Sequence, residues 1–187
     1  VTMVGYATWP SEGFTYKAKS FIGAAFDGKT GIWLCPSDAD RVVRIDKETG
    51  EMKGYADWPV GVTLAPEAFA GGVFTGSHIF LVPYSARFVV KITTETGMMP
   101  RLEWPKPLTP PSWAFAGGAF DGESVWLAPA TADSVMKIDA LTGLMTRYQS
   151  IPSECATVPA RAVAFVGAVF DKHQSVWFIP NAASCVL

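Results

Sequence analysis

The chain has 187 residues, 49% of them apolar and 17% charged, with a net charge of −2. That length suits one domain with a sizeable core, and the composition excludes global disorder. No uninterrupted apolar run reaches the roughly 18 residues a membrane helix needs, and Lys and Arg are scattered singly, so neither a membrane span nor a nucleic-acid face is expected.

Residues 1–10 (Val-Thr-Met-Val-Gly-Tyr-Ala-Thr-Trp-Pro) closely match residues 50–59 (Gly-Glu-Met-Lys-Gly-Tyr-Ala-Asp-Trp-Pro). The sequence opens on Val1 with no initiator Met or signal-like segment, as expected of a piece processed or excised from a longer chain. Next comes Phe21-Ile-Gly-Ala-Ala-Phe-Asp-Gly28, which predicts a strand, here a, closed by an Asp-Gly turn. Ile32-Trp-Leu-Cys-Pro36 predicts strand b, and Val42-Val-Arg-Ile-Asp46 predicts strand c. After the Thr49-Gly50 turn, strand d runs to Trp58-Pro59.

The same series recurs from Phe69, Phe115 and Phe165, with starts 48, 46 and 50 residues apart. Phe69-Ala-Gly-Gly-Val-Phe-Thr-Gly76, Phe115-Ala-Gly-Gly-Ala-Phe-Asp-Gly122 and Phe165-Val-Gly-Ala-Val-Phe-Asp-Lys172 repeat strand a. Glycine weakens a strand unless another backbone must come close, so strand a is expected innermost, against a central axis. The fourth repeat stops at Leu187 within strand c and lacks a strand d, which is the piece that residues 1–10 supply. The expectation is therefore one all-β domain over residues 1–187: a four-bladed β-propeller of four-stranded antiparallel blades. Its blades span about 21–59, 69–105, 115–152 and 165–187, and the N-terminal strand of residues 1–10 completes the last blade and closes the ring. A monomer is expected, or a homodimer if two chains join into one eight-bladed ring.

The whole chain resembles β-propeller repeat proteins. By blade number, and by Ala24-Ala25-Phe26 and Gly54-Tyr55…Trp58-Pro59, it is similar to hemopexin-type propellers, while the Gly-Gly pairs, Thr-Gly turns and strand-b prolines depart from that pattern. The resemblance implies binding of proteins, haem, ions or small ligands without catalysis.

Strand parity puts the uniform a–b and c–d turns on one face, the bottom, and the varied b–c loops and inter-blade linkers on the other. Binding groups on repeat scaffolds concentrate in varied loops. The candidate ligand-binding residues are Asp38, Asp40, Arg41, Tyr84, Arg87, Asp133 and Asn181, framed by linkers 60–67, 106–113 and 153–161. Hydroxyls, carboxylates, an Arg and a Tyr there suit a protein, a sugar or a polar small molecule. The function expected is non-enzymatic binding or scaffolding, with a carbohydrate-binding lectin and a propeller lyase or hydrolase as rivals. His78 and His173 fall in bottom turns, and no Ser-His-Asp order, His-x-His spacing, GxGxxG or P-loop occurs.

Trp33, Phe80, Trp126 and Trp177 recur at one strand-b position and read as packing between blades, and Trp9, Trp58 and Trp104 read as seals at blade ends. Asp27, Asp121 and Asp171 read as turn residues. The competing reading is a carboxylate ring holding a cation in the central channel; no other cofactor is expected. Cys35, Cys155 and Cys185 are expected as buried thiols, with a bridge from Cys185 to Cys35 or Cys155 as the alternative, and the odd count says nothing of compartment.

Overall fold

Short apolar runs closed by Gly and Asp become strands, because β-branched and aromatic side chains fill a pleated surface and the turn residues supply positive φ. The computed structural model describes residues 3–10, 13–156 and 162–187. The first repeat forms β1 (Phe21–Phe26), β2 (Gly31–Pro36), β3 (Val42–Asp46) and β4 (Met52–Tyr55), antiparallel in that order. The second forms β5 (Phe69–Phe74), β6 (His78–Pro83), β7 (Val89–Thr93) and β8 (Arg101–Leu102), paired the same way. The third forms β9 (Phe115–Phe120), β10 (Ser124–Pro129), β11 (Val135–Asp139) and β12 (Met145–Tyr148).

The fourth repeat differs. After a short helix α1 (Ser153–Ala156), which the sequence pattern does not anticipate, it forms only β13 (Phe165–Phe170) and β14 (Val176–Pro180). Residues 182–187 follow without strand pairing, although the Phe178 N–H donates to the Leu187 carbonyl (2.8 Å). Residues 3–10 carry no strand either, and among the described residues no backbone hydrogen bond joins them to this blade. The expected closure of the ring is thus not seen; Val1 and Thr2 lie outside the described residues.

The innermost strands β1, β5, β9 and β13 lie successively against one another, as the glycines predict. Each carries a register slip after its first Phe, and there Gly23, Gly71 and Gly117 take φ of 77°, 101° and 74°. A methyl group added at Gly23 would sit 3.0 Å from the Gly71 Cα, and one at Gly117 would sit 2.9 Å from the Gly167 Cα. Both the bulge and the close approach require glycine.

The core lies between blades. Trp33, Cys35 and Val42 on the trailing face of blade one pack on Ile79, Leu81, Val90 and Ile92 on the leading face of blade two. Phe80, Val82 and Val89 repeat this against Val125, Leu127, Met136 and Ile138. Trp126, Ala128 and Val135 then meet Val176 and Phe178. Trp58 stacks on Phe69 and Trp104 on Phe115, with ring centroids 5.9 and 5.7 Å apart, sealing the same junctions at the blade ends.

Candidate functional site

Each b–c loop folds back onto the residue two places before strand a of its own blade. The Asp38 N–H donates to the Lys19 carbonyl (3.1 Å), Ser85 to Glu67 (3.0 Å), Thr131 to Trp113 (3.0 Å) and Ala182 to Val163 (3.1 Å). Lys19, Glu67 and Trp113 hold left-handed φ of 57°, 58° and 61°, which non-glycine residues avoid. That turn aims the following loop across to the next blade. The Ser37 carbonyl accepts from the Ala68 N–H (2.9 Å), Tyr84 from Ala114 (2.9 Å) and Ala130 from Ala164 (2.8 Å).

This backbone relay rims a pocket of about 430 Å³ at the top of the axis, to which all four repeats contribute. Ile22, Ala70, Ala116, Val163 and Val166, with Gly23, Gly71 and Gly117, make its apolar walls. Glu67, Tyr84 and Asn181 add polar groups. Tyr84 stacks on Trp113 at 6.2 Å, and Glu67 pairs with Lys19 at 3.0 Å, tying blade one to blade two. The Glu67 N–H donates to the Asp38 carboxylate (2.7 Å), and Asn181 Nδ2 donates to the Val163 carbonyl (3.0 Å). Burial, and next to it the Glu67 carboxylate, pushes the Tyr84 phenol above its ordinary value, so it is a neutral hydroxyl at pH 7. The Glu67 carboxylate holds the Lys19 ammonium above its ordinary value by hydrogen bond and charge.

The sequence-derived candidates therefore divide by loop position. Tyr84 and Asn181, each one residue past a strand-b proline, line the pocket, and Asp38 braces its rim through Glu67. Asp40, Arg87 and Asp133, four residues past the proline, lie at the outer flanks with Arg41. Asp40 accepts two hydrogen bonds from Arg41 (2.9 and 2.8 Å), and the Arg41 hydrogen bond, the largest effect, holds its carboxyl below the ordinary range. Asp133 is clasped in the same way by Arg147 (2.7 Å to each oxygen) and is lowered for the same reason. Arg87 borders a separate outer hollow with Trp104 and Lys106, and its carbonyl accepts from the Trp104 indole (2.7 Å). Lys19, Glu67 and Trp113 were missed as site residues. Their signal is a variable residue just before a repeated pair of a small residue and Phe, in Lys-Ser-Phe, Glu-Ala-Phe, Trp-Ala-Phe and Val-Ala-Phe.

At the bottom face the aspartates cap turns. Asp27 Oδ1 accepts from the Lys29 and Gly31 amides (3.0 and 2.9 Å), while Oδ2 accepts from the Trp33 indole (3.2 Å). Asp121 and Asp171 do the same with Trp126 (2.6 Å) and Trp177 (3.2 Å). Blade two has Thr75 and Phe80 at these places, so the acceptor and the indole donor are absent together. Among the described residues no group of three or more His, Cys, Asp or Glu is placed to hold a metal. His78 and His173 sit at this end, with His78 Nδ1 bonded to the Ser77 hydroxyl (2.8 Å). Of the cysteines, Cys155 on α1 bridges Cys185, and Cys35 is a buried thiol whose burial pushes it up to about 12.

Comparison with protein families finds no match, and comparison with curated proteins finds none. Solved structures do match. A catalytically inactive virginiamycin B lyase from Staphylococcus aureus with quinupristin is 15% identical, with 87% of this chain covering 49% of that one at a TM-score of 0.62. A nidogen/laminin complex is 13% identical, with 87% of this chain on 57% of that one at 0.59. The WD40 repeats of RRP9 are 9% identical, with 88% on 46% at 0.61. The chain spans about half the length of these structures. At such identities the likeness shows the fold alone, which is that of β-propeller blades; it does not show a hemopexin-type propeller in particular.

Proposed function

We propose that these blades form a non-enzymatic binding module that holds a small amphipathic ligand, or the side chains of a protein partner, in the axial pocket of the top face. The observation that carries this reading is the pocket itself: apolar walls from all four repeats, with Tyr84, Glu67 and Asn181 converging at its mouth. An apolar concavity with few placed polar groups is the usual form of a ligand site. Of the left-handed residues, Glu67 lines the pocket, Lys19 pairs with Glu67 and Trp113 stacks on Tyr84, and strain of this kind concentrates at binding sites. Both histidines lie at the opposite end of the strands, away from any general-base position in the pocket.

The comparison structures do not choose among roles, since one is a lyase with quinupristin and another a complex of two proteins. The lectin reading finds less support, because Trp58 and Trp104 spend their faces on Phe69 and Phe115 and their indole N–H groups on backbone carbonyls.

The test is a thermal-shift screen with amphipathic small molecules and peptides, run beside a glycan array. Hits are then measured against Tyr84→Ala, Glu67→Gln and Asn181→Ala, with Lys29→Ala, Glu123→Ala and His173→Ala as bottom-face controls. Binding that weakens about tenfold or more in the first set and not in the second is expected. Loss confined to the second set, or binding of glycans alone, overturns the reading.

A further inference from the structure

The outer hollow beside Arg87 repeats a frame found in blade one but fills it with different chemistry. In both blades the tryptophan that follows strand d donates its indole N–H to a backbone carbonyl of the b–c loop. Trp58 donates to Asp40 (2.8 Å) and Trp104 to Arg87 (2.7 Å). The linker then opens on the same turn, with Val62 donating to the Pro59 carbonyl (3.0 Å) and Leu108 to Pro105 (2.9 Å). These bonds make Arg87 the equivalent of Asp40, Phe88 of Arg41 and Lys106 of Val60.

Charge at these positions is balanced in blades one and three and unbalanced in blade two. Asp40 is paired with Arg41 (2.8 Å), and Asp133, its counterpart in blade three, with Arg147 (2.7 Å). In blade two Arg101 lies opposite Val90 as Arg147 lies opposite Met136, so it stands where Arg147 stands. The acid it would hold, however, has become Arg87. Arg101 pairs instead with Glu103 (2.9 Å) and lies over the Phe88 ring, 4.3 Å from the centroid. Among the described residues neither Arg87 nor Lys106 is in an ion pair.

Arg87 and Lys106 border one hollow of about 270 Å³, whose apolar wall is Phe88, Trp104, Leu108 and prolines of the linker. The carboxylate on it, Glu103, is already engaged by Arg101. Two cations without a counter-charge, set against an apolar wall, draw an anion to that spot. Prolines at 105, 107, 110 and 111 restrict the linker, so the hollow stands formed before any ligand arrives.

We propose that this hollow is a second binding site, separate from the axial pocket, for a small organic anion: a carboxylate carried on an apolar body. The Arg87 guanidinium takes the carboxylate through paired N–H donors, and Lys106 adds a second charge. Phe88, Leu108 and the edge of Trp104 cover the body. Drug-sized ligands occupy roughly 300–1,000 Å³, so a hollow of about 270 Å³ suits a body of about one ring. Asp40 and Asp133 would repel the same anion, so blades one and three offer no copy of the site.

The experiment is a titration of the whole chain with hydrocinnamate at low ionic strength, read at the Trp104 indole N–H in proton–nitrogen correlation spectra. Trp104→Phe assigns that signal. A saturable shift is expected. Hydrocinnamide, which lacks the charge, and inorganic phosphate, which lacks the apolar body, are each expected to bind at least about tenfold more weakly. Arg87→Gln and Lys106→Gln are each expected to weaken hydrocinnamate about tenfold, and Arg87→Asp, which restores the acid of blade one, to abolish it. Lys29→Gln, on a bottom turn, is expected to change nothing, and unaltered signals elsewhere in the spectrum check that every variant is folded. The proposal is overturned by no saturable shift at Trp104, by the amide or phosphate binding as tightly as hydrocinnamate, or by an affinity that Arg87→Gln and Lys106→Gln leave unchanged.

Discussion

The pairing of Asp and Trp at the bottom turns shows how one side chain can serve two structural ends. In Asp121, one oxygen caps the turn amides of Glu123 and Ser124 and the other accepts a hydrogen bond from the Trp126 indole N–H. Burial opposes its ionisation most strongly, but the indole, the two amides and Lys137 together outweigh it and hold the carboxyl below its ordinary range. Asp121→Asn keeps the turn acceptor but sets an amide N–H₂ against the indole N–H, so a loss of about 1–3 kcal/mol is expected in denaturant unfolding. Because the folded pKa is depressed, the carboxylate's contribution is complete above the unfolded value of about 3.9 and vanishes as pH falls through the lower folded value. The variant's stability should therefore be flatter with pH below about 4 than that of the parent. Equal acid sensitivity in the two proteins would show that Asp121 is not ion-stabilised.

At the scale of the strand, the glycines of strand a are constrained by backbone angle and by space at once. Gly117→Val must hold a β-branched residue at φ 74° and seat a methyl 2.9 Å from the Gly167 Cα. A destabilisation of about 2–4 kcal/mol is expected, the sum of left-handed strain and overpacking. Melting like the parent would mean that β9 and β13 do not approach as described. The closeness of these strands was legible in the repeated Gly-Gly pairs. The bulge that gives Gly71 and Gly117 positive φ was not, since a register slip leaves the residue order unchanged. Nor was the route of the loops: Tyr84 and Arg87 share one loop, yet one faces the axis and the other the flank, because the loop turns between them.

Among the described residues the strands of each blade pack mainly on those of its neighbours, so stability is close to a sum of blade and junction terms. The Cys155–Cys185 bridge ties α1 to the end of blade four across 30 residues, a closure worth about 3–4 kcal/mol on the chain-entropy account. Replacing Cys155 and Cys185 with Ala is expected to speed amide exchange in β13 and β14 while leaving β5 and β6 unchanged. Uniform acceleration across all blades would instead mark the molecule as one cooperative unit.

Because each follows from local residue types recurring in register, the repeat by itself determined the strand order of the first three blades, the turns, the innermost strand and the packing of Trp33, Phe80 and Trp126 between blades, though not of the half-exposed Trp177. It also placed Tyr84 and Asn181 on the varied face. Only the tertiary structure decided which loop residues converge. Convergence depends on the left-handed turns at Lys19, Glu67 and Trp113 and on hydrogen bonds between blades, which link residues 29 to 34 positions apart. It alone corrected the expectation of three buried thiols, bridging Cys185 to Cys155 and leaving only Cys35 free, since pairing is a matter of distance. And among the described residues it does not show the ring closed: matching ends in a sequence say which strands can pair, while only the placement of the blades says whether they do.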